Sequence, residues 1–270
     1  LFFFPFSGLC IDIYVPSLPH IMTALQSSQS SVQMTIVLYS LGFVCGQIIA
    51  GPLSNSIGRN PTMLCSAISQ VFIIMLILST TNITLMITLR GLQGLAGALL
   101  VVSTRAMISD LFSGNEFKKK LKNGMIAWAL GPIVAPAIGG YLQHYIGWQA
   151  NFIFMLCYLI IILVSTLFIS ETSKSFSPFK PRLIFSNYCI LLRNPLYVLS
   201  LFLTGVLVSY ILLFNIVAPF LIQVGLHHNS IYYGHIALCM GLAWFIGNSC
   251  SLFFTQMAIA REILLSNSII

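Results

Sequence analysis

Eight long apolar runs follow one another along the chain, separated by short polar segments. A helix needs about 20 apolar residues to cross a bilayer, whereas a strand of a membrane barrel needs about 10 that alternate with polar ones. These runs are long and do not alternate, so they predict an all-α, polytopic membrane bundle. We place the spans at 1–19, 31–52, 61–80, 83–106, 124–143, 147–169, 196–222 and 231–256.

The composition excludes several classes of protein. Only 6% of the 270 residues are charged and 58% are hydrophobic, whereas soluble domains carry about 25% charged residues. A soluble enzyme, a disordered chain and a nucleic-acid binder are therefore excluded, despite a pI near 9.1. The seven cysteines form no CxxC pair, and the sequence lacks HExxH, GxSxG and phosphate-loop motifs. We expect no enzyme activity, no catalytic residues, no cofactor and no metal.

The basic residues alternate from one connection to the next. Lys and Arg are absent from the connections near 20–30, 80–82 and 144–147, and the connection near 227 carries only histidines. The intervening connections carry Arg59, then Lys118, Lys119, Lys120 and Lys122, and then Lys174, Lys180, Arg182 and Arg193, while Arg261 follows the last span. By the positive-inside rule these basic segments are cytoplasmic. We expect a multi-pass protein of the bacterial inner membrane, with the start of the chain on the cytoplasmic side.

The chain divides into two unequal helical parts. We predict an N-terminal six-helix bundle at 1–169 with an incomplete first helix, a cytoplasmic hinge loop at 170–195, and a partial C-terminal bundle at 196–270. An internal echo supports two related halves, because Asp12 and Asn215 each precede a proline by four residues, near the end of the first span of each part. Many transporters are built from such parallel repeats.

Two charged residues fall inside the predicted membrane. Asp12 lies in the first span and Arg90 in the fourth, and such charges mark functional sites by default because they are costly in lipid. Helical spacing places Arg90, Gln93, Gly94 and Gly97 on one face, where the glycines would allow a close helix neighbour. The alternatives are that Asp12 caps a helix end or lies at the interface, and that Arg90 snorkels to the outer headgroups.

A second polar stripe follows the second span. Gln33, Ser40 and Gln47 recur at seven-residue offsets, and with the Arg90 face they predict a water-accessible central cavity. The alternative is hydrogen bonding between helices alone. Arg105 and Asp110, near the cytoplasmic end of the fourth span, are expected to have an interfacial structural role.

Five motifs, in order, resemble those of the major facilitator superfamily and, within it, the drug/proton antiporters of the Bcr/CflA type. The signature loop between spans two and three is similar to GPLSNSIGRN at 51–60, and the arginine motif of span four to LRGLQG at 89–94. The antiporter motif of span five resembles GPIVAPAIGG at 131–140. The Bcr/CflA first-span signature and the start of its sixth span resemble DIYVPSLP at 12–19 and GWQANF at 147–152.

The resemblance implies a twelve-helix exchanger whose two bundles rock about a central site and expel small, often amphipathic, drugs as protons enter. Its partners would be the lipid bilayer, a small-molecule substrate and protons, with no nucleic acid, and the complete protein would be a monomer. Asp12 would titrate the proton and Arg90 would be its electrostatic partner. The remaining roles fall to cavity residues Tyr14, Gln33, Gln47, Gln93 and Asn215, to gating-loop residues Gly51, Asn55, Gly58 and Arg59, and to antiporter-motif residues Gly131, Ala135, Pro136, Gly139 and Gly140.

Some positions depart from the pattern. Asn55 replaces the acid of the signature loop, Ser56 replaces an arginine, and Ala135 replaces a glycine. Eight spans stand where twelve are expected, so we expect an incomplete or decayed copy that does not transport alone. The alternatives are a metabolite uptake carrier of the same fold and a transport-inactive membrane component, and an integral-membrane enzyme is disfavoured because no cluster of catalytic groups is found.

Overall fold

The computed structural model describes residues 3–173, 176, 178 and 181–267, and within these ranges it is helical with no strand. This confirms the predicted all-α membrane bundle. The helices are α1 (Phe3–Asp12), α2 (Leu18–Ala24), α3 (Gln29–Ile57), α4 (Arg59–Ser79), α5 (Ile83–Leu111), α6 (Gly114–Tyr145), α7 (Trp148–Leu167), α8 (Pro181–Leu192), α9 (Pro195–Phe220) and α10 (Ser230–Asn267). A π-helical turn, Leu221–Gly225, extends α9.

The first predicted span is not one continuous helix. α1 ends at Asp12, a 3-10 turn follows at Val15–Ser17, and α2 then begins at Leu18. Prolines explain the break, since Pro16 and Pro19 each stand at the start of the element that contains them, where a missing N–H costs little. The prediction of a single span at 1–19 was therefore wrong in continuity, and its first two residues lie outside the described part.

Seven described helices are long and apolar enough to cross a membrane, namely α3 to α7, α9 with its π turn, and α10. They confirm the predicted spans two to eight, although several are longer than expected. α6 begins at Gly114, so Lys118 to Lys122 lie on its first turns and not in a loop. α10 continues to Asn267, beyond the predicted end at 256.

The predicted hinge loop contains a helix. Residues 181–192 form α8, so the expectation of a loop throughout 170–195 was wrong. Lys174 and Lys180, two of its predicted basic residues, lie outside the described residues. The division of the chain at this segment stays a prediction.

Close packing of α3 against α5 forms the centre of the first half. A Cβ atom on Gly42 would collide with the carbonyl oxygen of Gly91, and one on Gly94 with that of Tyr39. The two backbones approach so closely only because these positions lack side chains. This packing fixes the α5 face that carries Arg90 and Gln93 against the polar side of α3.

Candidate functional site

The acid of the first span lies at a contact between the two halves. Asn215 Nδ2 in α9 donates a hydrogen bond of 2.6 Å to Asp12 Oδ1 at the end of α1. Asp12 is 5% exposed and Asn215 6% exposed. The two residues at corresponding places in the internal echo are therefore in direct contact, and both are shielded from solvent.

Arg90 is fully buried, which excludes the alternative that it snorkels to the headgroups. Its Nη1 donates to Gln93 Oε1 at 2.5 Å, and its Nη2 donates to the carbonyl oxygen of Cys10 at 3.1 Å. The guanidinium carbon lies over the rings of Tyr14 and Tyr39, at 4.2 and 4.3 Å from the centroids. The ring faces attract the cation, so carbonyl and aromatic groups surround the charge.

The structure does not join Arg90 to Asp12. In the described part of the chain the ion pair within 4.0 Å is Arg59 with Asp110, at 3.0 Å. The predicted partnership of Arg90 with Asp12 is therefore not a direct contact. Both charges instead lie at the same turn at the end of α1. Arg90 contacts Cys10 O and the ring of Tyr14, which stand two residues before and two residues after Asp12.

Tyr14 ties this turn to α3. Its hydroxyl and that of Thr35 are 3.0 Å apart, and its ring contacts that of Phe152 in α7, with centroids 5.5 Å apart. Both Tyr14 and Thr35 are buried. Tyr14 thus belongs to a packed wall beside Arg90, and the break after α1 is what places it there.

The stripe on α3 divides in the structure. Gln33 Nε2 donates to the carbonyl oxygen of Ile216 in α9, at 2.9 Å, and so reaches the second half. Ser40 bonds only within its own helix, to Ile36 O at 2.9 Å. Gln47 is exposed on the side of α3. Only the first member of the stripe lies with the inter-half contacts around Asn215.

Sequence reasoning missed three buried residues around these charges. Thr35 and Tyr39 lie one turn apart on α3 and face Tyr14 and Arg90 respectively. Tyr233, in α10, is fully buried near Asp12 and stacks on Phe214, with ring centroids 6.1 Å apart. Four-residue spacing on α3 was the available signal for the first two, whereas Tyr233 is placed by tertiary packing alone.

The predicted gating loop forms a charged network at the other end of the bundle. Gly58 has φ +115°, a conformation that favours glycine, and ends α3 just before α4 begins. Arg59 Nε donates to Asp110 Oδ2 at 3.0 Å, and its Nη1 donates to Ser54 Oγ at 3.0 Å and to Asn55 Oδ1. Asn55 thus gives Arg59 a neutral hydrogen-bond acceptor. Gly51, the first residue of the motif, has no close neighbour for a Cβ atom.

Glu171 completes this network and was not predicted. Its carboxylate accepts backbone N–H bonds from Arg59 and Asn60, both at 3.1 Å, and from Thr172 and Ser173 at 2.9 and 2.7 Å. Burial raises the pKa of Glu171, but the four backbone donors outweigh it and hold the pKa below its ordinary value. The acid caps the start of α4, and it binds the segment after α7 to the gating loop.

The antiporter motif is a surface for close helix approach. All five of its predicted residues are buried. A Cβ atom on Gly131 would lie 2.8 Å from Pro5 O, and one on Gly139 would collide with Ile13 O, both in the first span. One on Gly140 would lie 2.5 Å from Ser230 O at the start of α10. α6 therefore packs on α1 on one side and on α10 of the second half on the other, with Ala135 and Pro136 between these contacts.

Hydrogen bonds between the halves gather at one end of the molecule. Besides Asp12 with Asn215 and Gln33 with Ile216, they join Gln223 to Pro16 O at 2.8 Å, the Tyr141 hydroxyl to His235 Nε2 at 3.0 Å, and Ser230 Oγ to Gly140 O at 3.0 Å. All lie toward the connections that lack Lys and Arg, on the predicted external side. At the opposite end of α9, residues 195–211 are exposed. Within the described residues, the hydrogen bonds between the halves thus lie on the predicted external side.

Comparison with known proteins agrees with this architecture. The family model of the Major Facilitator Superfamily matches residues 2–267. A bicyclomycin resistance protein homolog of Haemophilus influenzae is 31% identical over 68% of this chain and 47% of its own length. A chloramphenicol resistance protein of Pseudomonas aeruginosa is 31% identical over 55% of this chain and 36% of its own. The matches cover less than half the length of each of these two relatives.

Solved structures show the same fold. The match to a D-xylose-proton symporter covers 89% of this chain and 63% of the symporter chain, with a TM-score of 0.60 and 17% identity. The human organic anion transporter MFSD10 matches 90% of this chain and 69% of its own, with a TM-score of 0.55 and 18% identity. The helical membrane bundle, the five motifs and a family match over nearly the whole chain lead to one assignment. The chain belongs to the Major Facilitator Superfamily and resembles its Bcr/CflA-type drug-resistance members.

Proposed function

We propose that this protein exports small drug-like or amphipathic molecules in exchange for protons, with Asp12 as the group that carries the proton. The observation that carries the proposal is the hydrogen bond of Asn215 to Asp12 across the two halves. A titratable group inside a membrane is a candidate for proton movement because burial of its charge is costly. Relatives named for resistance to bicyclomycin and chloramphenicol support a drug as the substrate.

The position of Asp12 supplies a physical link between proton and conformation. A ligand shifts a conformational equilibrium only when it binds the two states differently. With the halves joined externally, the carboxylate accepts the amide of Asn215, and separation of the halves would remove that donor. The proton would therefore bind the two arrangements with different affinity, which is the requirement for coupling.

Arg90 would hold the electrostatic field of this region constant. It is fully buried and bonded to Cys10 O, two residues before Asp12, so its charge acts on the acid without a direct ion pair. Because Tyr14 and Tyr39 enclose the guanidinium, it stays in place when Asp12 changes protonation. In this role it would be a fixed positive charge and not the carrier.

Drug-induced proton release in weakly buffered detergent tests the proposal, measured on a version of the protein in which both helical bundles are complete. Asp12→Asn keeps an oxygen that can accept from Asn215 but cannot ionise, so it should preserve folding and abolish release. Arg90→Ala should be at least as damaging. Asn215→Ala keeps the acid but removes the donor that distinguishes the two arrangements, so release should be weakened without being abolished. Glu116→Gln, at an exposed acid at the start of α6, is the control.

A panel of cationic drugs and neutral metabolites separates drug export from metabolite transport. Release that depends on drugs and on Asp12 supports the proposal. Release unchanged by Asp12→Asn would place the proton elsewhere, and release with metabolites alone would favour an uptake carrier. No release with any compound, in protein that is folded by size exclusion and circular dichroism, would favour the transport-inactive alternative.

A further inference from the structure

Polar side chains follow one buried face of α4 inside the first half. Thr62, Ser66 and Gln70 stand four residues apart, and all three are buried. Such side chains in membrane bundles hydrogen-bond across helices, and Ser66 Oγ donates to the carbonyl oxygen of Ala96 in α5 at 2.6 Å. This face of α4 therefore packs on α5, and its last member, Gln70, lies beside Gly97.

The amide of Gln70 has a buried acceptor without a donor. Its Nε2 donates to Ser66 Oγ at 3.2 Å. Because the Ser66 hydroxyl already donates its hydrogen to Ala96 O, it must accept from Gln70, and this fixes which amide atom faces it. The other atom, Oε1, is buried and has no hydrogen-bond partner among the described residues. An unpaired buried acceptor is destabilising, so this atom requires a partner.

A buried donor without an acceptor lies one helical turn from Gly97. Gln93 Oε1 accepts from Arg90 Nη1, and since a guanidinium only donates, this bond fixes the orientation of the Gln93 amide. Its Nε2 is buried and has no hydrogen-bond partner within the part of the chain that the structure describes. Gln93 and Gly97 are four residues apart on α5 and so lie on the same face.

Two polar atoms from neighbouring helices flank Gly97. A Cβ atom at this position would lie 3.4 Å from the Tyr39 hydroxyl oxygen and 3.7 Å from Gln70 Oε1. The Tyr39 hydroxyl is buried, and the group near it, the Cys10 thiol, is a weak hydrogen-bonding partner. An acceptor and a hydroxyl therefore border the volume that a side chain at position 97 would fill, with the Gln93 donor one turn away.

We propose that a buried water molecule binds at Gly97, where it donates to Gln70 Oε1, shares a hydrogen bond with the Tyr39 hydroxyl and accepts from Gln93 Nε2. Buried waters make about three hydrogen bonds to buried polar groups that otherwise lack partners. A set of one acceptor and two donors suits a small neutral molecule. The buried charge of Arg90 disfavours a cation here, and the carbonyl oxygen of Gln70 disfavours an anion.

This water would join three helices of the first half. Gln70 belongs to α4, Tyr39 to α3 and Gln93 to α5. The Tyr39 ring lies over the guanidinium of Arg90, with the carbon of that group 4.3 Å from the ring centroid. The water would hold this ring at its hydroxyl end and so connect α4 to the enclosure of Arg90. The site is independent of what the protein transports.

Radiolytic footprinting tests the proposal on the 270-residue protein in detergent. X-rays generate hydroxyl radicals from bound water, and these radicals modify the side chains beside it even when those are buried. Mass spectrometry reads the modification rate of each residue, divided by its rate in denatured protein. Phe6 is the control, since it is buried and stacks on Tyr158. Tyr39 should be modified well above Phe6, and a rate as low as that of Phe6 would overturn the proposal.

Gly97→Ala locates the source of the radicals. Its methyl group would take the place of the water, so modification of Tyr39 should fall toward the level of Phe6. Tyr14 is the internal control, because it is equally buried and covers the same guanidinium at 4.2 Å, and its rate should not change. An unchanged rate at Tyr39, or equal losses at Tyr39 and Tyr14, would overturn the proposal.

Thermal unfolding supplies a second measurement, with Gly91→Ala as the matched variant. An added Cβ atom at Gly91, in the same helix, would make ordinary contacts with Leu38 at 3.6–3.9 Å. Replacing Gly by Ala inside a helix is normally stabilising, so Gly91→Ala should keep or raise the unfolding temperature. Gly97→Ala should lower it, because loss of the water leaves Tyr39 and Gln70 unpaired. A Gly97→Ala protein at least as stable as Gly91→Ala would overturn the proposal.

Discussion

The two ends of the bundle are held together by different chemistry. On the predicted external side, the contacts join the two halves through amides, hydroxyls and backbone carbonyls, with Asp12 as the acid among them. On the predicted cytoplasmic side, Arg59, Asp110 and Glu171 join segments that all belong to the first half. The difference indicates that one end is a separable contact between halves and the other is a clamp within one half. In the described residues, the bonds that must break for the halves to part lie at the external end.

The largest expected effect concerns which membrane side each end faces. Ser173→Cys follows Glu171 in the charged clamp, and Asn229→Cys lies in the connection before α10, beside the inter-half contacts. With the exposed native cysteines replaced, an impermeant maleimide added to intact cells should label position 229 completely and position 173 only after permeabilisation.

Labelling of both positions from the same side would contradict the comparison of ends. Reversed labelling would preserve the difference between the two ends but would place the charged clamp outside the cell and the inter-half contacts in the cytoplasm. Either result would be read against the background protein in which every native cysteine except buried Cys10 is replaced, and which should stay unlabelled under both conditions.

The next effect concerns the packing of α6 on the first span, within the first half. Gly139→Leu should cost about 1–3 kcal/mol or more, because its Cβ atom would collide with the backbone oxygen of Ile13 and overpacked sites cannot relax. Gly205→Leu, on the exposed side of α9, meets nothing within 4 Å and should leave stability unchanged or slightly improved. Thermal unfolding in detergent measures both. Equal losses would show that the close approach at Gly139 does not exist in the protein.

The spans were predictable because the length of an apolar run is a strong signal. The break after Asp12 was missed because Pro16 and Pro19 stand inside an apolar run, which was taken as one continuous helix. Asp12 and Arg90 were identified only because a charge in lipid has a high free-energy cost. Asn215 was identified because it precedes a proline by four residues, as Asp12 does. That echo identified equivalent positions, not a contact. The enclosure of Arg90 by Tyr14 and Tyr39 depends on the turn after α1 meeting α3 and α5, and no local pattern encodes it. Glu171 was passed over because its partners are backbone N–H groups 111 and 112 residues earlier in the chain.

A smaller effect tests the clamp through Glu171. The carboxylate is exposed and accepts the N–H groups that begin α4, and loss of such a cap costs about 1 kcal/mol or less at an exposed site. Because its folded pKa is lowered, its stabilisation is present above the unfolded pKa of about 4.3 and is lost as pH falls through the folded pKa. Glu171→Gln should therefore be less stable than wild type at neutral pH, and the gap should close in acid.

Chemical unfolding at several pH values measures this gap. Glu116→Gln is the control, since Glu116 is exposed in the first turn of α6. A gap for Glu171→Gln that persists unchanged as the pH falls well below the unfolded pKa of about 4.3 and through the lowered folded pKa would show that the carboxylate charge does not stabilise the clamp.

The smallest effect concerns the missing acid of the signature loop. Arg59 already donates to Asp110, Ser54 and Asn55, so Asn55→Asp replaces a neutral acceptor by a charged one at a place where the guanidinium is present. The gain is limited because position 55 is exposed and lies near the C-terminus of α3, where the helix dipole disfavours negative charge. Exposed ion pairs contribute about 0–1 kcal/mol, and we expect a stabilisation within that range.

Ser56→Asp is the matched control, because it adds the same charge one residue later, where the native hydroxyl bonds only to Leu53 O in the described contacts. It should destabilise slightly through the helix dipole without the compensating arginine. A double-mutant cycle of Asn55→Asp with Arg59→Gln isolates the pair, since the gain must vanish when the guanidinium is removed. If Asn55→Asp and Ser56→Asp shift the free energy of unfolding equally, Arg59 does not use the added charge. If Asn55→Asp instead alters cross-linking between Tyr141→Cys and His235→Cys, the clamp acts on the inter-half contacts and the two ends are not independent.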